Sequence, residues 1–173
     1  MAGQIKKAGY NQEDLVDLLR RMRNTAQSAA GTLPNLAPAT NTDNLKTLNA
    51  TIATVDGVQV HIAAVDPLIV TDGQGLVNTA ADQSTVVLVQ TNSAGTVSLK
   101  QGPVVAGHAN DTIASVPVPV PDAGVAVIGF ILIKGTAHTW GTTALTAGML
   151  FDGDPYLRPS INKAGYGQVG LES

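Results

Sequence analysis

Three histidines and one pair of aspartates are the side chains of this sequence best suited to acid–base or metal chemistry. His61, His108 and His138 lack the close spacing of a metal-binding pair and stand in no recognisable Ser-His-Asp order. Asp152 and Asp154 could offer two carboxylates to calcium, but the long alternating ligand series of a calcium loop is missing. We therefore predict surface imidazoles, turn aspartates and no metal site.

Other kinds of reaction centre are equally poorly supported. The chain has no cysteine, which excludes disulfides, thiolate metal sites, iron–sulfur clusters and cysteine nucleophiles. Gly73 and Gly75 follow Asp72, but no Gly-Lys-Ser/Thr comes after them, so they do not form a phosphate-binding loop. We predict a protein that is not an enzyme and that needs no cofactor.

The composition is that of a folded protein with an unusually neutral surface. Of the 173 residues, 44% are hydrophobic and 13% are charged, and one Trp, three Tyr and two Phe are the only aromatic residues. The hydrophobic fraction is sufficient for a core, and the scarcity of aromatic side chains argues against a base-stacking nucleic-acid surface. No apolar stretch is long enough to span a membrane and no secretory signal begins the chain, so we expect synthesis in the cytoplasm.

The clearest helical pattern lies near the N-terminus, in a segment that we assign to residues 1–23. Its apolar residues recur every three or four positions, Asn11 is a good N-cap, and the basic residues Arg20, Arg21 and Arg23 follow at the C-terminal end. The predicted apolar face consists of Leu15, Leu18, Leu19 and Met22. Such a short helix needs a surface to cover, either on its own domain or on another chain.

Residues 24–45 carry no hydrophobic period and are rich in Thr, Ala, Asn and Pro. We interpret them as a linker or extended arm, because such a long structureless connection is uncommon inside a compact domain. Beyond this arm we predict a β-sandwich body over residues 46–157 and a polar tail over residues 158–173.

The body is predicted to be mainly β, an antiparallel β-sandwich or barrel-like fold, because hydrophobic residues alternate and turn residues recur at short intervals. Asp56-Gly57 between two alternating runs predicts a two-residue hairpin. A second hairpin is predicted around residues 92–95. Residues 116–121 alternate Val and Pro, so they should be extended at a sheet edge.

The strand predicted over residues 124–134 is apolar on both faces. Strict alternation places Ile128, Phe130 and Leu132 on one face and Val127 and Ile131 on the other. Such a strand is either covered on both sides within one chain or lines a subunit interface. We favour the interface and assign it to Ile128, Phe130 and Leu132.

Eight short segments between Thr51 and Asp152 follow one another in a characteristic order. They are Val55-Asp56-Gly57-Val58, Ala63-Ala64-Val65-Asp66, Thr85-Val86-Val87-Leu88-Val89, Ser93-Ala94-Gly95-Thr96-Val97, Lys100-Gln101-Gly102, Val118-Pro119-Val120-Pro121, Ala126-Val127-Ile128-Gly129-Phe130-Ile131-Leu132-Ile133 and Trp140-Gly141-Thr142-Thr143-Ala144-Leu145. Through these segments about 100 residues of the chain resemble a family of small virion structural proteins of tailed bacteriophages.

The resemblance implies a capsid decoration, or cement, protein located on the surface of the phage head. Such a protein would form a homotrimer and bind the major capsid protein, with neither nucleic acid nor membrane as a partner. The candidate capsid contacts are Leu15, Leu18, Leu19, Met22, Arg20 and Arg21. The alternative is a head-fibre or tail-fibre module that binds a receptor or glycan on the host surface.

Overall fold

A computed structural model describes residues 29–68, 75–107 and 116–153 of the chain. The predicted N-terminal helix, His108, Asp154 and the tail lie outside these residues. The described part is mainly β, as predicted, and its helical content is one 3₁₀ turn, Ala147–Met149. No helix within it is long and apolar enough to cross a membrane.

Within the described residues, ten strands form three antiparallel sheets. One sheet has the order β1-β4-β5, a second has the order β10-β9-β6-β7 with β8 also paired to β6, and a small third sheet joins β2 and β3. The strands are β1 (Ala29–Ala30), β2 (Leu36–Pro38), β3 (Leu45–Thr47), β4 (Thr51–Val55), β5 (Val58–Ile62), β6 (Gln83–Asn92), β7 (Val97–Gln101), β8 (Val105–Ala106), β9 (Val125–Ile133) and β10 (Leu150–Asp152).

Both predicted hairpins are present, because local turn chemistry specifies each of them. Asp56 and Gly57 have φ angles of 50° and 80°, and they join β4 to β5 with Val55 opposite Val58. In the turn between β6 and β7 the Asn92 side chain accepts hydrogen bonds from the backbone amides of Ala94 and Thr96. The turn contacts of each hairpin are made by residues that are close in sequence, so they do not depend on the rest of the fold.

The main core lies between the three-stranded and five-stranded sheets, which pack face to face without closing into a barrel. Ala53, Val55 and Val60 contribute to it from one sheet, and Val87 and Val89 contribute from the other. Burial of these aliphatic side chains from two facing sheets is the defining feature of a sandwich. Trp140 and Leu145 close the core from the loop that follows β9.

The opposite face of the five-stranded sheet is also covered. Val86, Leu88 and Phe130 form a second buried cluster with Val116 and Val127. Residues 116–121, in which Val and Pro alternate, were predicted to be an extended segment at a sheet edge. In the structure they belong to none of the ten strands. Val116 is buried and Val118 partly buried, so this segment acts as a cover for the sheet face.

Strict alternation along β9 is interrupted by a β-bulge. Val89 of β6 lies opposite Gly129, but Gln90 lies opposite Val127, so Ile128 is the extra residue. As a consequence, Ile128 and Ile131 both face the main core, whereas Phe130 faces the second cluster. The predicted assignment of Ile128 and Phe130 to one face was wrong for this reason.

The described part of the predicted linker, residues 29–45, belongs to the body. β1 pairs with β4, and β2 pairs with β3. Leu36 and Leu45 are 8% and 0% exposed, and both contribute to the main core. β1, β2 and β3 have only two or three residues each and are separated by polar stretches. They are therefore too short to show a hydrophobic period in the sequence.

Candidate functional site

The two histidines within the described residues occupy very different environments. His61 is exposed on β5, and His138 lies in the loop after β9 with 1% of its surface exposed. The prediction of surface imidazoles is therefore wrong for His138. No group of three or more His, Cys, Asp and Glu side chains within residues 29–68, 75–107 and 116–153 could hold a metal ion.

The His138 imidazole is buried without a hydrogen-bond partner on either ring nitrogen. Its ring meets the Trp140 ring edge-on, with 4.6 Å between the centroids. Burial lowers the pKa of His138 because the charged form would lose its hydration. The ring is therefore neutral and is enclosed by the described residues.

Backbone pairing positions the His138 ring. His138 and Thr79 exchange two backbone hydrogen bonds of 3.0 Å each, and the Thr79 hydroxyl donates to the Thr136 carbonyl at 2.7 Å. The Trp140 indole donates to the Val77 carbonyl at 2.9 Å. The loop after β9 is thus hydrogen-bonded to the segment around Thr79.

A second polar cluster joins three segments near one end of the large sheet. The Asp122 carboxylate accepts hydrogen bonds from the Lys100 ammonium and the Gln90 amide, each at 2.5 Å. Gln90 is 1% exposed, whereas the Lys100 and Asp122 side chains are 35% and 52% exposed. The Lys100 hydrogen bond lowers the pKa of Asp122, so this carboxylate is ionised at neutral pH and is a weak base.

The predicted turn aspartate Asp152 has a structural partner. Its Oδ1 accepts the backbone N–H of Leu36 at 2.8 Å, and this bond ties β10 to β2. Asp154 lies outside the described residues. The two aspartates considered as calcium ligands are therefore not seen together.

The residues predicted to line a subunit interface lie inside the single chain. Ile128 and Phe130 are both 0% exposed, and Leu132 is partly buried against the second cluster. Phe130 also stacks on Phe151, with 4.9 Å between the ring centroids. The assignment of Ile128 and Phe130 to a subunit interface was therefore wrong. Both side chains are covered within one chain, which was the alternative interpretation of this strand.

The predicted capsid contacts Leu15, Leu18, Leu19, Met22, Arg20 and Arg21 lie outside the described residues. What the described body offers to a partner is a surface with little charge. Its cations are Lys46, Lys100 and Lys134. Lys46 is paired with Asp66 at 3.4 Å and Lys100 with Asp122 at 2.5 Å.

Apolar side chains are exposed at several separate positions of this surface. They are Leu33 (48%), Leu48 (49%), Val58 (60%), Val77 (61%) and Val120 (50%). The other exposed residues are mostly Ala, Thr, Gly and Asn, with four aspartates among them, Asp56, Asp66, Asp82 and Asp122. A partner would therefore meet mostly neutral groups, which cost less to desolvate than charged groups.

Sequence reasoning missed the roles of Gln90, His138 and Trp140. Gln90 directly after the apolar residues 86–89 of β6 was a signal of a polar partner at that position, because buried amides need hydrogen bonds. Nothing local marks His138 as buried, since its burial depends on Thr79 from a distant segment. Trp140 lies in a turn, and its burial depends on Val77, which accepts the indole hydrogen bond.

Together the described residues form antiparallel β-sheets that share a core, and their polar clusters join segments of the fold. Comparison with protein-family models, with curated proteins and with solved structures finds no match to this chain.

Proposed function

We propose that this protein is a structural component of a tailed-phage head, a decoration protein that binds the outer surface of the capsid as an oligomer. The observation that carries the proposal is the ordered series of segments that resemble those of such proteins. Several of these segments contribute to one core, in which Val55, Val87 and Trp140 all lie.

Gly102 illustrates this mutual dependence. A Cβ atom at Gly102 would lie 2.9 Å from the Pro117 carbonyl oxygen and 2.9 Å from Cδ of Pro119. The Lys100-Gln101-Gly102 segment therefore requires a glycine where the Val-Pro segment crosses it. Lys100 makes a second link between the same regions through Asp122. Two of the matching segments, residues 100–102 and 118–121, thus lie against each other.

The surface chemistry fits repeated contacts on an assembled shell. Each contact with a neutral, weakly charged surface is modest, but a particle displays many copies of the capsid protein. An oligomer that engages several of them gains affinity through effective concentration. In this proposal the copies form a homotrimer through surfaces other than Ile128 and Phe130, and the N-terminal segment contacts the major capsid protein.

The alternative of a fibre module that binds glycans is less well supported by the described residues. Sugar-binding surfaces commonly present aromatic rings. Within the described ranges Phe130 and Trp140 are buried, and Phe151 is partly buried against Phe130. A host-receptor role would have to use other chemistry.

The test is co-sedimentation of the full-length protein with phage heads that lack it. We expect binding by the wild type and at least tenfold weaker binding by the double variants Leu15→Asp/Leu19→Asp and Arg20→Glu/Arg21→Glu. Ser98→Glu, an exposed change on β7, is the matched control and should bind normally. Binding to host cells but not to heads would instead favour the fibre alternative.

A further inference from the structure

Strand β5, Val58–Ile62, is the outer strand of the three-stranded sheet. Val58, Gln59 and His61 are exposed on it, whereas Val60 and Ile62 are buried in the main core. The strand contains no charged residue, no proline and no bulge. Natural proteins use charged residues, prolines and bulges to keep the edge of a sheet from pairing with another chain, and β5 has none of the three.

The backbone of β5 directs hydrogen-bonding groups to the outside. Ile52 of β4 lies opposite His61. The Ile52 carbonyl accepts hydrogen bonds from Gly31 and Thr32 at 2.7 and 3.2 Å, and its N–H donates to the Thr32 hydroxyl at 2.8 Å. Both backbone groups of Ile52 therefore face β1, so the N–H and C=O of His61 face away from β4, as do those of Gln59.

The other edges within the described residues are shorter, covered or charged. On β7 the Gln101 side chain bonds to the backbone N–H and C=O of Val77, and Lys100 carries a charge. On β10 the Asp152 carboxylate bonds to Leu36. β3 pairs along its outer side with Leu68. β5 has no such partner among residues 29–68, 75–107 and 116–153.

We propose that β5 pairs with β5 of a second copy of this chain, antiparallel and centred on Val60. In this register Gln59 of each copy faces His61 of the other, so the residues whose backbone groups point outward form the hydrogen-bonded pairs. Val58 then faces Ile62 of the second copy. The pairing brings no like charges together, and it covers the exposed Val58 side chain.

The turn between β6 and β7 lies beside one end of this edge. A Cβ atom at Gly95 would be 3.4 Å from the His61 carbonyl oxygen, so a side chain at residue 95 would crowd this carbonyl and glycine does not. The pairing is two-fold, so it links copies in pairs and is independent of the capsid contact proposed above.

The test is sedimentation equilibrium of the full-length protein from about 1 µM to about 1 mM, a range that reports weak to moderate dissociation constants. We expect the mass of the wild type to rise with concentration beyond that of the proposed homotrimer, because β5 edges pair two by two. Gln59→Lys/His61→Lys places lysines opposite lysines across both pairs and should weaken association about tenfold or more. Gln59→Lys/His61→Glu places opposite charges in the same positions and should restore it to within about threefold.

Ser98→Lys adds one positive charge at an exposed position of β7 and should leave association unchanged. Absence of pairwise association in the wild type would overturn the proposal, as would a lysine–glutamate variant as weak as the double-lysine variant. A wild type that stays a trimer over the whole concentration range would also overturn edge pairing while leaving the capsid proposal intact. Two-fold association without binding to phage heads would support edge pairing and overturn the capsid proposal.

Discussion

Leu36 packs directly on the backbone of Gly129, at the bulge of the central strand β9. A Cβ atom at Gly129 would overlap the Leu36 side chain, and it would lie 2.7 Å from the Phe151 carbonyl oxygen. Three segments that are far apart in the sequence therefore meet where β9 has no side chain. This contact attaches the residues before β4 to the larger sheet.

Gly129→Ala should lower the free energy of unfolding by about 1 to 3 kcal/mol, the usual cost of overpacking a core. The added methyl group has a backbone carbonyl on one side and a buried leucine on the other, so neither neighbour can yield easily. Urea denaturation measures the change. Gly148→Ala, where the nearest atom would be 4.0 Å away, is the control and should change stability by less than about 0.5 kcal/mol.

Removal of residues 1–28 should leave a cooperatively folding body, whereas removal of residues 1–40 should not. The longer deletion removes β1, β2 and the buried Leu36, and loss of a buried leucine side chain alone costs about 2 to 5 kcal/mol. Thermal melts followed by circular dichroism compare the two. Equal stability of both truncated proteins would contradict the assignment of residues 29–40 to the body.

Phe130→Ala should lower the free energy of unfolding by about 3 to 5 kcal/mol, because the ring is fully buried within one chain. The loss should be the same at low and high protein concentration, measured by urea denaturation. A residue at a subunit interface would show a loss that depends on concentration. Leu132→Ala, at a partly buried position, should have a smaller effect.

The stability of the protein should decrease as the pH falls below about 6.5, the ordinary pKa of histidine. Burial lowers the pKa of His138 in the folded state, so the unfolded chain binds the proton more readily and acid favours unfolding. The slope contributed by this residue is at most about 1.4 kcal/mol per pH unit. The contribution of neutral, buried His138 to stability is complete above the pKa of the residue in the unfolded chain. It is lost as the pH falls from that value toward the lower pKa of the folded state.

His138→Phe keeps an aromatic ring against Trp140 and cannot be protonated, so it should remove this part of the pH dependence. Urea midpoints at pH 7.5 and pH 5 provide the measurement. His61→Gln changes an exposed imidazole and should retain the wild-type slope. If His138→Phe showed the same pH dependence as the wild type, His138 would not be the group that titrates.

Lys100→Met should lower stability by no more than about 1 kcal/mol at neutral pH, because the ion pair is largely exposed and screened by solvent. Lys100 lowers the pKa of Asp122, so the pair contributes above the ordinary aspartate pKa of 3.8 and its contribution is lost as the pH falls below it. The variant should therefore unfold with a shallower pH dependence in that acidic range. Gln90→Leu, measured in parallel at neutral pH, should cost more, because it removes a buried hydrogen-bonding partner of Asp122.

Local chemistry was enough to predict the mainly β class and both hairpins. Asp56-Gly57 adopts the two positive φ angles that its turn requires, and Asn92 caps its own turn, so neither depends on remote residues. The apolar character of β9 on both faces also predicted a strand without a solvent-exposed side. These features follow from residue type and spacing along a few consecutive positions.

Distant contacts decided the rest. The bulge at Ile128 reverses the direction of the side chains that precede it, and it lies where Leu36 meets Gly129 and where Gly153 donates to the Ile128 carbonyl. β1 and β2 are too short to produce a hydrophobic period, and they are stabilised by β4, β3 and the core. His138 is buried because Thr79, far away in the sequence, pairs with its backbone. Pattern reasoning detects the period of one segment, whereas packing between segments selects the register, the faces and the buried polar groups.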